Sequence, residues 1–374
     1  MNIKLGDLGV INTGNTPSMK IEEFYSSNDI PFIKPDSFGD MFRLNPSCFL
    51  ASVAEEKARI VEPGAILVTC IGTIGKVAIT NAKIAFNQQI NSISVNNNFD
   101  SEYIAYNILF NKFRLQSLSN SAVVPIINKS DFSKFEIKVE HNLEKQIKIK
   151  KWLNKVNQLK LLKEEQIRYL DLLIKSRFAE LFGDPIKNEM DWIKSTLGEL
   201  SSRISSGNTP KGGSNVYSDD GVMFIRSQNV WNNNLDLNDI VYISNDINDN
   251  MRETQLHYND ILITKTGRFN TENSSLGRSA IFKGESGSAN INGHVYLVRL
   301  NQEIRAEFVL SILTSDVYRQ LIRRVCVGGI DKRQLNKSHI EAFPIIIPPL
   351  ILQDKYIQYI DQVNKLKFAI MVYN

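Results

Sequence analysis

The most regular pattern of apolar and polar positions lies in the middle of the chain. Between Leu143 and Leu181 there is neither proline nor glycine, and apolar residues recur mostly every three or four positions, as on one face of an amphipathic helix. Gly183 and Pro185 then end the pattern. About 40 residues form a helix roughly 60 Å long. Such a helix needs a partner for its apolar stripe, and the heptad-like spacing from Leu350 to Tyr373 predicts one.

The two predicted helices, at 141–182 and 350–374, form a spacer between globular segments. We expect them to pack as an antiparallel coiled coil, which relates the flanking segments by a pseudo-two-fold axis. The apolar positions predicted to pair the helices are Leu153, Val156, Ile167, Leu170 and Ile174 in the first helix and Ile360, Val363, Leu366 and Ile370 in the second.

The globular segments, at 1–140 and 183–349, are similar to each other. LGDLGVINTGNTP at 5–17 recurs as LGELSSRISSGNTP at 197–210, and five further segment pairs follow in the same order. A repeat longer than about 50 residues indicates a duplicated domain and not a solenoid unit. Within each copy, buried-strand patterns at 65–70 and 260–264 precede helical spacing at 101–118 and 305–325. The sequence therefore predicts two tandem α+β domains.

Composition places the chain among ordinary globular proteins. Of 374 residues, 43% are hydrophobic and 22% charged, and the net charge of +4 is too small to indicate a nucleic-acid partner by itself. The cysteines Cys48, Cys70 and Cys326 lie far apart, so neither disulfides nor a thiolate zinc site is expected. The first residues do not predict a signal peptide, and the longest apolar stretch is too short to span a bilayer. We therefore expect a soluble, cytoplasmic chain with no membrane partner.

Two similar heads on a rigid spacer suit a partner with two spaced half-sites. B-DNA repeats about every 34–36 Å, which the predicted spacer is long enough to match. The second copy carries an insertion near 271–275. The two heads therefore differ, and we expect their half-sites to differ in sequence.

Several of these segments, taken in order, resemble a known family. The paired GNTP segments, the FIK and FIR strands, the IGTIGK loop, the INKSDF and LNKSHI segments, the LEKQIKI helix start and the LFGDP exit look like the specificity subunit of type I restriction-modification systems. The resemblance implies two target recognition domains that read a bipartite, asymmetric site on double-stranded DNA. It also implies helices that dock methyltransferase subunits, through which restriction subunits bind. This chain would then be non-catalytic and hold no cofactor, and S-adenosylmethionine, Mg²⁺ and ATP would belong to the partner subunits.

The candidate DNA contacts stand mostly at matching places in the two copies. Glycine allows close backbone approach, lysine and arginine reach phosphates or guanine, and asparagine and glutamine read adenine. The alternatives are ordinary turns, solvated strand ends, local capping and a solvated charged face. The candidates are Lys34, Gly72, Thr73, Gly75, Lys76, Asn87 and Gln88 in the first copy and Arg226, Lys265, Thr266, Gly267, Arg268, Asn292, Arg323, Arg324, Lys332 and Arg333 in the second.

Two other classes of function remain open from the residues. One is a protein-binding scaffold that uses the coiled coil. The other is a Mg²⁺-dependent nuclease, because Asp36, Glu55 and Lys57 fit a loose PD…ExK pattern. The equivalent positions of the second copy do not repeat this pattern of acidic residues and lysine, which disfavours the nuclease. The sequence contains neither a GxxxxGK[ST] phosphate loop nor an HExxH zinc motif.

Overall fold

The computed structural model describes residues 2–119, 124–271 and 273–372, and it divides into two compact units, Met1–Leu162 and Lys163–Asn374. Each unit contains one copy of the repeat. Part of the predicted insertion, Glu272, lies outside the described residues, as do positions 373 and 374 of the second spacer segment.

Short strands dominate the first unit. Within the described residues they are β1 (Asn2–Lys4), β2 (Gly9–Thr13), β3 (Ile30–Ile33), β4 (Phe49–Leu50), β5 (Ile60–Val61), β6 (Ile66–Thr69), β7 (Val77–Ile79), β8 (Ile84–Phe86), β9 (Ile90–Val95) and β10 (Glu136–Lys138). One sheet has the order β2-β9-β6-β7 and is antiparallel. The other has the order β4-β3-β8-β5, and in it β3 and β8 run parallel. β1 pairs with β10.

Helices of the first unit are short apart from the spacer. They are α1 (Leu5–Leu8), α2 (Ser101–Phe110), α3 (Lys112–Gln116) and α4 (Lys129–Lys134), with 3-10 turns at Glu22–Tyr25, Pro35–Ser37 and Ser52–Lys57. The predicted spacer helix is present as α5 (Leu143–Phe182), a continuous helix of 40 residues. Across the described ranges, no helix combines the length and apolar character that a bilayer crossing requires.

The second unit contains the same kinds of element. Its strands, in the part of the chain that the structure describes, are β11 (Ile193–Thr196), β12 (Ser201–Ser206), β13 (Val222–Ile225), β14 (Val230–Trp231), β15 (Asn234–Leu235), β16 (Val241–Ile243), β17 (Ile261–Thr264), β18 (Thr266–Arg268), β19 (Ser279–Ile281), β20 (Ala289–Ile291), β21 (Val295–Leu300), β22 (Val327–Gly328), β23 (Lys332–Gln334) and β24 (Pro344–Ile347). Its helices are α6 (Asn245–Asn250), α7 (Ala306–Leu313), α8 (Asp316–Val325), α9 (Lys337–Glu341) and α10 (Leu350–Val372), with 3-10 turns at Gly213–Val216, Ser227–Asn229 and Arg252–Thr254.

Strand order shows the duplication directly. The antiparallel sheet β12-β21-β17-β19 repeats the order β2-β9-β6-β7, and the parallel pair β13–β20 repeats β3–β8. The terminal pairs β1–β10 and β11–β24 also correspond. Each antiparallel sheet packs its buried face against the helices that follow it, so apolar residues from both form one core in each unit. The predicted α+β class is confirmed.

Each predicted helical region after the main sheet is divided into two helices. The first region breaks at Asn111, whose side-chain amide donates to the carbonyl of Asn107. The second breaks at Thr314 and Ser315, where the Ser315 hydroxyl caps α8 by accepting from the Tyr318 N–H at 3.3 Å. Apolar spacing does not show these breaks, because both pieces keep one face buried.

The C-terminal helix packs antiparallel to the second half of α5 within the second unit. Phe182 and Phe178 meet Tyr356 with ring centroids 5.4 and 5.6 Å apart. Further along, the Arg177 guanidinium lies 5.9 Å from the Tyr359 ring, and Asp171 accepts from the Lys367 ammonium. Residues later in α10 therefore contact residues earlier in α5, as the antiparallel prediction requires.

Most predicted pairing residues in the second unit are at least partly buried. Val363 is buried, Ile174 and Ile360 pack against the aromatic core, and Ile167, Leu170 and Ile370 are partly buried.

Three predicted pairing residues lie elsewhere. Leu366 is 57% exposed, because the stripe on α10 runs through Lys367, whose side chain is 15% exposed and pairs with Asp171. Val156 is 59% exposed, and Leu153 packs against the core of the first unit. The apolar stripe of α5 therefore changes its partner along the helix.

Candidate nucleic-acid interface

Parallel pairing of β3 and β8 brings two candidates of the first copy together. Ile33 pairs with Phe86, so the residues that follow, Lys34 and Asn87, leave the same edge of the sheet. The Asn87 N–H donates to the Ile33 carbonyl at 3.0 Å, which extends the pairing past the strand ends. Backbone hydrogen bonds therefore fix the main chain from which both side chains leave.

A third candidate reaches the same edge from the loop between β6 and β7. The Lys76 ammonium donates to the Pro35 carbonyl at 3.0 Å, next to Lys34. The Lys34 ammonium lies 3.1 Å from the sulfur of Cys48 and 5.8 Å from the centre of the Phe32 ring. Two cations from distant parts of the sequence thus converge beside the strand ends.

The glycine loop of the first copy is held firmly at both ends. Gly72 donates to the Pro125 carbonyl at 2.9 Å and Gly75 to the Thr69 carbonyl at 2.9 Å. Both glycines have positive φ. Gly72 and Thr73 are exposed, whereas Gly75 is buried and a Cβ there would lie 2.8 Å from the Lys112 side chain. The exposed part of the loop therefore offers backbone groups on a rigid support.

The two amide residues beside the loop differ in availability. Asn87 is 6% exposed, and its side-chain amide donates to Gln89 at 2.9 Å. Gln88 is exposed, and its side-chain oxygen accepts from the Thr16 hydroxyl at 2.7 Å. The Asn87 side chain thus makes the local bonds that the capping alternative predicted, whereas Gln88 faces outward.

The second copy repeats the strand-end arrangement with different side chains. Ile225 of β13 pairs in parallel with Ile291 of β20, and Arg226 and Asn292 follow them. The Asn292 N–H donates to the Ile225 carbonyl at 3.0 Å. One guanidinium nitrogen of Arg226 lies 3.1 Å from a carboxylate oxygen of Asp239, so this arginine is partly neutralised, whereas among the described residues Lys34 has no such ion pair.

The predicted second loop is partly a strand. Thr266, Gly267 and Arg268 form β18, which pairs with β23 so that Gly267 faces Arg333 and Arg268 faces Lys332. The Lys265 N–H donates to the His294 carbonyl at 2.8 Å, which ties the start of β18 to the strand-end edge. Candidates about 65 residues apart in sequence thus share one small sheet, β18-β23-β22.

The cations of this small sheet and of the residues beside it have distinct surroundings. The Arg333 guanidinium stacks 3.8 Å from the centre of the Phe269 ring, and the Lys265 ammonium lies 5.6 Å from that of Tyr296. Arg268 is 70% exposed at its side chain, and its contact with Asp331 is long at 3.8 Å. Three further cations close by in the sequence are exposed: Arg323 and Arg324, in the last turn of α8, and Lys332.

Sequence reasoning missed two residues of this region. Phe269 supports Arg333, and Ile330 is 88% exposed at the turn between β22 and β23. In the sequence, both residues stand out only by lying next to basic candidates. Their place beside those candidates in space is apparent once the strand pairing is known.

Within the described ranges, no group of three or more His, Cys, Asp or Glu residues is placed to hold a metal ion. Glu55 of the PD…ExK pattern accepts from the exposed Lys83. Burial raises the pKa of the Cys70 thiol to about 12, although bonds from Asn91 oppose the shift, so this thiol stays neutral at pH 7.

Both copies of the repeat thus carry polar and cationic side chains at equivalent strand ends. A family profile described as "Type I restriction modification DNA specificity domain" matches residues 1–169 and 189–372. The chain therefore belongs to the family of type I restriction-modification specificity domains.

Two curated relatives resemble parts of the chain. The specificity subunit of the type I restriction enzyme HindI from Haemophilus influenzae is 34% identical over 139 residues, or 36% of this chain and 30% of that protein. The specificity subunit of the type I restriction enzyme MjaIX from Methanocaldococcus jannaschii is 28% identical over 230 residues, or 56% of this chain and 53% of that protein. The matches thus span between about a third and a half of each relative's length.

Solved structures share the fold over nearly the full chain. The S subunit of a type I restriction-modification system from M. genitalium aligns with a TM-score of 0.54 at 15% identity, covering 100% of this chain and 93% of that one. A chain from a study of complex assembly and conformational transition of the type I R-M system aligns with a TM-score of 0.57 at 15% identity, covering 99% and 92%. These alignments support the tandem α+β architecture.

Proposed function

We propose that this chain is a sequence-specific DNA-binding subunit that recognises a bipartite asymmetric site and performs no chemistry itself. The observation that carries the proposal is the duplicated strand edge: Lys34 in one copy and Arg226 in the other follow equivalent parallel strands. The edges carry different neighbouring residues, so the two half-sites differ in sequence. Cationic and amide side chains on rigid backbone are suited to phosphates and base edges.

In this proposal the chemistry belongs to partner subunits. Methyltransferase subunits use S-adenosylmethionine, and restriction subunits, bound through them, use Mg²⁺ and ATP. The complex acts on chromosomal DNA in the cytoplasm.

Partner subunits need a surface on the spacer, and α5 offers one. Trp152, Val156, Leu159 and Leu162 are between 54% and 63% exposed and recur every three or four residues along the helix. An exposed aromatic and aliphatic stripe of this kind is typical of a protein interface. We assign it to the methyltransferase.

The alternatives explain fewer of the observations. A protein scaffold accounts for the stripe on α5 but gives no reason for cations at equivalent strand ends in both copies. A Mg²⁺-dependent nuclease needs converging carboxylates, and Glu55 instead pairs with Lys83 on the surface.

The test is the methylome of the host, mapped by single-molecule sequencing with this gene intact and deleted. We expect deletion to abolish methylation of one split, asymmetric motif. Complementation with the Lys265→Ala, Arg268→Ala double variant should restore less methylation than complementation with Arg252→Ala, which removes an exposed arginine on another element. A methylome that deletion leaves unchanged would contradict the proposal.

A further inference from the structure

The turn at Ile330 and Asp331, which joins β22 to β23, presents an aliphatic side chain to solvent. Ile330 is 88% exposed. Single exposed apolar residues are common on protein surfaces, so exposure alone gives no role. Two features distinguish this turn from other exposed apolar positions: the hydrogen bonds that hold it and the charged residues beside it.

Hydrogen bonds hold the turn on both sides. The Gly329 N–H donates to the Lys332 carbonyl at 3.1 Å, and the Asp331 carbonyl accepts from the Phe269 N–H at 2.8 Å. Gly328 has a φ of +140°, and a Cβ there would lie 2.7 Å from the Lys332 carbonyl oxygen. The exposed isoleucine therefore projects from a pre-organised hairpin.

Cations flank the apolar tip. Arg268 and Lys332 stand opposite each other in the β18–β23 pair, and Arg333 stacks on Phe269 one position further along. The acidic residue of the turn, Asp331, faces Arg268 at 3.8 Å. A narrow apolar tip between exposed positive charges fits a surface that is polyanionic outside and apolar between its stacked layers, and duplex DNA has that construction.

We propose that Ile330 is a wedge that inserts against one base step of the half-site bound by the second copy and partly unstacks it. Proteins that insert isoleucine or leucine between base pairs kink the duplex and gain contact with the flanking phosphates. Here Arg268 and Lys332 are placed to meet those phosphates. The cost of unstacking depends on the base step, so Ile330 adds selectivity at a position that no polar side chain reads. This inference rests on the proposed function.

The test uses the full chain and a 40-base-pair duplex enriched by the wild-type protein from a random library. Single 2-aminopurine substitutions at successive positions report unstacking as a rise in fluorescence. Wild type should give a rise at one base step. Ile330→Ala should abolish that rise and weaken binding about tenfold, the scale on which one buried aliphatic side chain changes an affinity. The matched control is Ile193→Ala, which removes a 74% exposed isoleucine on β11, and it should behave as wild type.

The outcomes separate the inference from the proposed function. If the wild-type protein enriches no sequence and binds no duplex, the proposed function fails. If it binds its enriched duplex and Ile330→Ala binds equally well, the wedge is refuted and the proposed function stands. Weaker binding by Ile330→Ala with no fluorescence rise in the wild type also refutes the wedge, because the tip then contacts DNA without unstacking it.

Discussion

Arg268 provides a quantitative test of the proposed contact between the second copy and DNA. Its side chain is 70% exposed, and its carboxylate neighbour Asp331 is 71% exposed and 3.8 Å away. A surface pair of this kind contributes about 0–1 kcal/mol, so exchanging it for a phosphate costs little. Each phosphate that a cation neutralises contributes about 0.9 to the slope of log K against log salt concentration. We therefore expect Arg268→Ala to reduce that slope by about 0.9.

The slope translates into affinities measured at two salt concentrations. Between 50 and 200 mM NaCl, a slope difference of about 0.9 narrows the affinity gap between wild type and variant by about 3.5-fold. Fluorescence anisotropy with the full chain and one labelled duplex measures both values. Backbone bonds of the β18–β23 pair do not involve this side chain, so the fold should be retained.

Arg252→Ala serves as the control, because it removes the same charge from a 3-10 turn elsewhere in the second unit. An unchanged slope for Arg268→Ala, or an equal change for both variants, would refute a phosphate contact at Arg268. A loss confined to one DNA sequence would instead indicate base reading.

Two further predictions concern stability. Phe182→Ala should lower the free energy of unfolding by about 3–5 kcal/mol in urea, because the ring is fully buried with its centroid 4.8 Å from that of Phe308. Phe368→Ala, which removes a 64% exposed ring, should change it by under about 0.5 kcal/mol, and similar losses in both would contradict the packing described. The hydrogen bond and charge of Arg305 lower the pKa of Asp354 below its ordinary value of 3.8, so the pair stabilises the fold above that pH and the contribution disappears as pH falls through the lowered pKa. The melting temperature of the wild type should therefore exceed that of Asp354→Asn near neutral pH, and the difference should disappear on acidification. A difference in melting temperature that does not change with pH would exclude this linkage.

Local patterns predicted the long elements well. Helix α5 begins at Leu143 and ends at Phe182, inside the predicted range of 141–182, because a glycine and a proline stop the pattern directly after it. The buried strands β6 and β17 fall inside the predicted runs. The duplication was visible because both copies keep the same order of short segments.

Features that depend on tertiary contact were not predictable from spacing. Lys367 is largely buried where Leu366 is exposed, because a lysine can bury its aliphatic stem while its ammonium reaches a carboxylate, here that of Asp171. The conversion of 266–268 from a loop to a strand depends on β23, which lies about 65 residues later in the chain. The apolar pattern of a few neighbouring residues indicates neither which distant strand pairs with them nor the register of that pairing.

The strand-end edge allows one scaffold to present two different sets of side chains. The bonds that hold it, from the Asn87 N–H to Ile33 and from the Asn292 N–H to Ile225, are made by backbone atoms and have the same length of 3.0 Å. Side chains that follow can therefore change without altering the support. Gln88 in the first copy corresponds to a glycine in the second, which removes an amide from the edge while the parallel pairing stays intact. The two copies can thus differ in the side chains that they present without a change of fold, as the proposed asymmetric site requires of a duplicated domain.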